Sequence, residues 1–189
     1  MKDKKKTQIL VKLRKERILE KILVPTDLSP LSLIALEYAN SIAETYDAKV
    51  YLVYVCEQVP SEKKQKKFPE IKEKFKEFKK NIREELKKIA IEKLNLVEEV
   101  EIVVLQGNPY KEILKFIVEN GIGLVVVASH GRTGFSHLLM GSVAEKIVRY
   151  SPVPVLTVKP EEFSASFLTR DDVEKELHLK YKPDDFFEF

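Results

Sequence analysis

The run LVVVASHGRTGFSHLLMGS, residues 124–142, places three glycines, two histidines, an arginine and a terminal Gly-Ser directly after a short apolar stretch. An apolar segment that empties into a glycine-bearing loop is the pattern by which a buried strand delivers a ligand loop. Gly131 and Gly134 relieve backbone restrictions within the loop, and Gly141 lets backbone amides come close to a ligand. Ser142 then opens a helical pattern, VAEKIVRY, whose first turn offers unpaired N–H groups and the positive end of a helix dipole. Phosphate is the ligand such a turn suits. Ser142-Val143-Ala144-Glu145 also fits the S-x-x-E capping box, in which the serine caps the helix and the glutamate reaches back. The two uses belong to different ligation states, because a capping hydroxyl and a phosphate draw on the same donors.

Other side chains near this loop could act on a phosphate. Arg132 suits a clamp, since a guanidinium grips phosphate oxygens bidentately. His130 and His137 invite a catalytic reading, but hydrolysis needs a positioned base or water-orienting group and usually a metal on dedicated ligands. No acidic cluster, nucleophile–base spacing or Walker lysine accompanies the loop. The expectation is binding with slow or negligible turnover. Asp27, at the end of the first apolar run, can accept from ribose hydroxyls or a base amino group; its structural alternative is to help cap the next helix. Cys56 is the only cysteine, which excludes an intrachain disulfide and a multi-cysteine metal site, and strand packing is its expected role.

The elements that must position these residues follow from periodicity and caps. Residues 21–26 (KILVPT) form an apolar run stopped by Pro25, and Ser29 as N-cap with Pro30 at the first helical position starts a helix to about Tyr46. Residues 50–55 (VYLVYV) read as a second strand. Ile71, Phe75, Phe78, Ile82, Leu86 and Ile89 recur at three- and four-residue steps, predicting one long amphipathic helix whose stripe belongs to the core. Residues 100–105 make a third strand, after which Asn108 and Pro109 launch a helix that stops at Asn120-Gly121. Residues 124–128, apolar without alternation, suit a central parallel strand. Residues 153–158 form the fifth strand, with Pro154 indicating an edge or strand-start position. The predicted fold is α/β: a doubly wound five-stranded parallel sheet, order 3-2-1-4-5, with helices on both faces. Ligands bind such sheets at the carboxyl ends of strands where the order reverses, so the loops Pro25-Thr26-Asp27 and Ala128 through Ser142 should face each other.

At 189 residues, the chain fits one such domain at residues 20–160, with extensions at 1–19 and 161–189. No apolar run approaches the ~20 residues of a membrane span, and the lysine-rich start lacks a signal-peptide core. A soluble, cytoplasmic protein is expected, without a membrane partner. The net charge of +3 conceals an asymmetry: residues 1–19 carry eight Lys/Arg against two acids, and residues 161–189 nine acids against four bases. Without interleaved aromatics the basic start is read as a solvated tail, an amphipathic helix in preference to a short strand, and nucleic acid is disfavoured. The acidic end holds Phe163, Phe167, Leu168, Phe186, Phe187 and Phe189, too apolar a set for a simple solvated tail.

The segments ASHG, RTGFSHLLM and GS, followed by VAEKIV and PVPVLTV, together with ILVPTDLSP at the first strand, resemble the universal stress protein family over residues 20–159. In the nucleotide-binding branch of that family the loop reads G-x-x-G, nine residues, then G-S or G-T, and holds the phosphates of ATP. Ala128 stands at the first glycine; Gly131, the nine residues from Arg132 to Met140, Gly141 and Ser142 keep the spacing. The resemblance implies that Pro25, Thr26 and Asp27 border ribose and adenine, and that Val55 meets the base through its backbone. It implies that Val127 and Ala128 line the base–ribose side, and that Gly131, Gly141, Ser142 and Val143 lie along the phosphates. It further implies ATP or AMP as ligand, with Mg²⁺ carried by the phosphates, a regulatory stress-response role, and a homodimer through the last strand. The Ala128 methyl group, placed where the family brings backbone close to ribose, keeps open a protein-interaction module of the same fold that binds no nucleotide. A weak ATPase is the third reading.

Overall fold

The computed structural model describes residues 19–131, 140–159 and Lys175. Arg132, Gly134, His137 and nearly all of both extensions therefore lie outside the described residues. Five strands form one parallel sheet in the order β3-β2-β1-β4-β5: β1 (Lys21–Pro25), β2 (Lys49–Cys56), β3 (Val100–Gln106), β4 (Leu124–Ala128) and β5 (Val155–Val158). The helices are α1 (Pro30–Leu33), α2 (Ala35–Tyr46), α3 (Glu62–Lys67), α4 (Pro69–Lys93), α5 (Pro109–Asn120) and α6 (Ser142–Tyr150). This is the predicted doubly wound sheet.

Alternation along each strand divides the core in two. Ile22, Val24, Val50, Leu52, Val126 and Ala128 pack with Leu36 and Ala39 of α2 and Leu86 of α4 on one face. Leu23, Tyr51, Val53, Val125 and Val127 pack with Ile113 and Ile117 of α5 and Ile147 of α6 on the other. Each aliphatic side chain taken fully out of water contributes about 1.5–3 kcal/mol, so both helical layers are held by burial. Local signals set the ends. Ser29 accepts from the Ser32 amide ahead of Pro30, Asn108 does the same for α5, and Gly121 closes α5 in the left-handed region at φ 62°.

Several boundaries differ from the sequence expectation. The helix expected from Pro30 to Tyr46 is divided at Ile34, where the Glu37 amide bonds the Ile34 carbonyl at 3.3 Å in a three-residue step. The polar stretch before α4 contains α3, started by Ser61. β5 begins at Val155, not Val153: Pro154 has no N–H for the ladder, and the Val153 amide is taken by the Ser151 hydroxyl. The stripe of α4 is core only in part: its buried residues Leu86, Ile89 and Ala90 all lie in the C-terminal half, and Phe75 and Ile82 pack on the core only partly buried. No helix among the described residues is long and apolar enough to cross a membrane.

Candidate functional site

β1 and β4 are adjacent and parallel, yet the helices that follow them leave on opposite faces of the sheet. Sheets of this kind open a crevice at the carboxyl ends of such a strand pair, and the two loops singled out from sequence leave the sheet there. A methyl group built on Gly131 would collide with Oδ2 of Asp27 and stand 3.2 Å from its Cγ, so the first-strand loop and the fourth-strand loop touch there.

The β1 side is held by a compact polar network. Thr26 is buried; its amide donates to the Val53 carbonyl at 2.9 Å, and its hydroxyl accepts from the Leu28 amide at 3.0 Å. The same hydroxyl shares a 2.7 Å hydrogen bond with Ser32. Leu28 takes φ 66°, unusual for a side chain of its size, and the Thr26 bond helps pin that turn. Oδ1 of Asp27 accepts from the Ser29 amide at 3.0 Å and from its hydroxyl at 2.6 Å, which fixes the carboxylate and turns Oδ2 toward Gly131. The Thr26 hydroxyl is thus used within the turn, while Oδ2 of Asp27 lies against Gly131. Ser29 and Ser32, which hold these two in place, were not singled out as site residues; the Asp-x-Ser spacing, which favours an Asx turn, is the signal that could have found them.

On the β4 side, Ser129 and His130 are buried, and the Ser129 hydroxyl lies 2.9 Å from Nδ1 of His130. The Ser129 amide donates to the Val158 carbonyl, and its carbonyl accepts from the Gly141 amide, both at 2.7 Å. The two ends of the loop are therefore tied together at the tip of β4. Gly141 sits so close that an added Cβ would stand 3.3 Å from the Ser129 carbonyl oxygen.

Gly141, not Ser142, is the N-cap of α6. This corrects the capping-box expectation. The extended backbone of Gly141 (φ −67°, ψ 147°) makes the turn into the helix, so Ser142 falls one position inside it, and the cap residue itself has no side chain to offer the N-terminal amides. Ser142 is exposed and Val143 half-buried. The first turn, with its positive dipole end, faces the loop end bonded to Ser129.

Val55 is next to last in β2, which ends at Cys56. The Val53 carbonyl points to β1, and the Cys56 carbonyl to β3, where it accepts from Gly107. Alternation therefore turns the backbone of Val55 toward the side β1 has vacated, since Pro25 is the register partner of Val53. Val127 packs in the α5–α6 layer, and Ala128, 4% exposed, in the α2 layer, so the Ala128 methyl group fills core space. Burial pushes the Cys56 thiol above its ordinary pKa, opposed by Lys79 and Arg83. Among the described residues, no group of three His, Cys, Asp or Glu side chains is placed to hold a metal ion.

The fold defines a doubly wound parallel α/β protein in which the strand order reverses between β1 and β4, with the N-terminus of α6 following the β4 loop. The chain belongs to the universal stress protein family, whose model matches residues 19–159. It is 34% identical to the universal stress protein MJ0531 of Methanocaldococcus jannaschii over 146 residues, covering 76% of this chain and 84% of that one. Identity to YxiE of Bacillus subtilis is 31%, covering 74% and 98% respectively. The solved structure of MJ0577 superposes with a TM-score of 0.63 at 28% identity, covering 76% of this chain and 97% of that one. A universal stress protein solved in complex with cAMP shares the fold at a TM-score of 0.55 and 23% identity, covering 75% and 97%.

Proposed function

We propose that this chain is an adenine-nucleotide-binding regulatory module, holding ATP or AMP between the β1 and β4 loops. The observation that carries the reading is the start of α6, where a glycine N-cap supplies no side-chain acceptor of its own to the first-turn amides at the rim of the crevice. In this reading the phosphates lie along Gly131, Gly141, Ser142 and Val143, with the helix dipole favouring their charge and Arg132 clamping them. Asp27 accepts from ribose or base, held by Ser29 so that one carboxylate oxygen points inward. The backbone of Val55 meets the base edge. Mg²⁺ carried by the phosphates would offset their repulsion from Asp27. The packed position of the Ala128 methyl supports nucleotide binding over a module of this fold without nucleotide. The complex of a family member with cAMP supports an adenine ligand. Occupancy then changes the surface that partners read, in a cytoplasmic homodimer paired through β5, with residues 1–19 and 161–189 as extensions.

The test is calorimetric titration of ATP, AMP and ADP into the purified full chain, with and without Mg²⁺, after mass spectrometry for co-purified nucleotide. Binding near micromolar, about −8 kcal/mol, is expected. No binding by any of the three would leave the protein-interaction module as the better reading.

A further inference from the structure

α4 is too long for the sheet it covers. Its 25 residues span about 37 Å at ~1.5 Å each. The eight residues of β2 span only about 26 Å. No residue before Leu86 in α4 is fully buried, yet that half carries Ile71, Phe75, Phe78 and Ile82 at helical spacing. Ile71, Phe75 and Ile82 are half-buried, Phe75 and Ile82 with one side against the core, and Phe78 is 43% exposed, stacked on Phe75 at 6.4 Å between ring centroids. Phe68, just before the helix, is exposed as well.

Charge on this helix is segregated. At about 100° per residue, Lys72, Lys76, Lys79, Lys80, Arg83 and Lys87 fall in one arc of roughly 100° beside the apolar stripe, and no acid falls in it. Glu73 and Glu84, at its margin, pair with Lys76 at 3.9 Å and Lys87 at 3.0 Å. Lys72, Lys80 and Arg83 have no carboxylate within ion-pair distance among the described residues. The same flank runs into a shallow groove where α3 meets α4, lined by Gln65, Lys66, Pro69 and Lys72.

An apolar stripe bordered by charge of one sign is how a helix selects a partner helix of the opposite sign. We propose that the N-terminal half of α4 is a docking surface for an acidic amphipathic helix of a partner protein, its apolar face on Phe75 and Phe78 and its carboxylates on Lys72, Lys80 and Arg83. A continuous cationic flank with no aromatic on it matches carboxylates at helical spacing better than stacked bases. The proposal draws on none of the residues assigned to the nucleotide, so it does not rest on the reading above.

The test uses the full chain and a labelled synthetic helix of about 20 residues, long enough to hold helical structure, with a Leu/Phe stripe flanked by Glu. Fluorescence anisotropy reads binding. Lys72→Glu with Arg83→Glu should weaken it at least about tenfold, a change of ~1.4 kcal/mol. Phe78→Ser should also weaken it, whereas Lys74→Glu with Lys88→Glu, the same charge change on the other flank, should not. Every variant is surface-exposed, and its melting curve checks folding. Absence of binding, or equal binding of a peptide with a scrambled stripe or of duplex DNA, would overturn the proposal. Binding that emerges only after residues 160–189 are removed would assign the surface to the chain's own acidic segment and overturn the partner.

Discussion

The amide of Gly141 donates to the carbonyl of Ser129 at 2.7 Å, so the loop leaving β4 and the helix it feeds are fastened at one point. That bond sets where the first turn of α6 stands relative to the strand end. It also gives residue 141 two separable roles, as helix cap and as close neighbour of whatever lies against the turn.

Gly141→Asp tests the second role without sacrificing the first. The backbone at φ −67° and ψ 147° accepts any residue, and aspartate is a favourable N-cap. A Cβ there meets the Ser129 carbonyl oxygen at 3.3 Å, which requires a shift of a few tenths of an ångström. The free variant should therefore melt within about 1 kcal/mol of wild type, the cap gain offsetting the crowding. Its carboxylate should occupy the helix amides and repel phosphate, abolishing thermal protection by ATP. Protection at the wild-type level would show that the phosphates do not lie at this turn.

Gly131 and Asp27 should be energetically coupled. A methyl group at Gly131 runs into Oδ2 of Asp27, so Gly131→Ala should destabilise by roughly 1–3 kcal/mol through overpacking. Asp27→Ala alone should cost about 1–3 kcal/mol, because the Ser29 amide and hydroxyl lose their acceptor. Once Asp27 is truncated, the added methyl finds space. The double variant should be more stable than the sum of the two losses predicts, and denaturant melts of the four proteins measure the difference. Strict additivity would mean that the two loops do not meet.

Much of this was legible in the sequence for a local reason. Valine-rich runs and the pairs Ser29-Pro30 and Asn108-Pro109 mark strands and helix starts within a few residues of themselves, and their alternation gives a parallel sheet, though not by itself the strand order. The N-cap of α6 was misassigned to Ser142 because a serine followed by glutamate three residues on satisfies the capping pattern, whereas the cap is set by backbone dihedrals at Gly141. The stripe of α4 was legible as periodicity, but periodicity does not say what covers it; the lengths of β2 and α4 decide that. The hold of Ser29 on Asp27 is local and could have been read. The contact of Asp27 with Gly131 joins residues brought together only by the topology, and no local signal encodes its distance.

Cys56 gives the fold a dependence on alkaline pH. Burial raises the thiol pKa in the folded protein above the unfolded value of about 8.5. Between the two values the folded state binds more protons than the unfolded state, so the contribution is intact below pH ~8.5 and is lost as pH rises through the folded pKa, by up to ~1.4 kcal/mol per pH unit. Cys56→Ala removes this titration while lysines and tyrosines titrate in both proteins. The fall in melting temperature from pH 8 to pH 10 should be smaller in the variant; equal falls would show that the thiol is not shielded.

The edge strand offers a way to separate assembly from folding. The carbonyls of Pro154 and Val158 accept from Val125 and Ser129, so the even-numbered residues of β5 bond to β4. Strand alternation then turns the amides of Val155 and Thr157 to the outer edge, where pairing with a second copy would occur. Thr157→Pro deletes one outward N–H and leaves the bonds to β4 in place, since proline is tolerated on an edge. If the homodimer forms through β5, sedimentation velocity should show Thr157→Pro shifted to monomer, with the cooperative unfolding of the domain retained. A variant that stays dimeric would place the contact on another surface. A variant that unfolds would show instead that the Thr157 amide faces β4 and that the register read from Pro154 and Val158 is wrong.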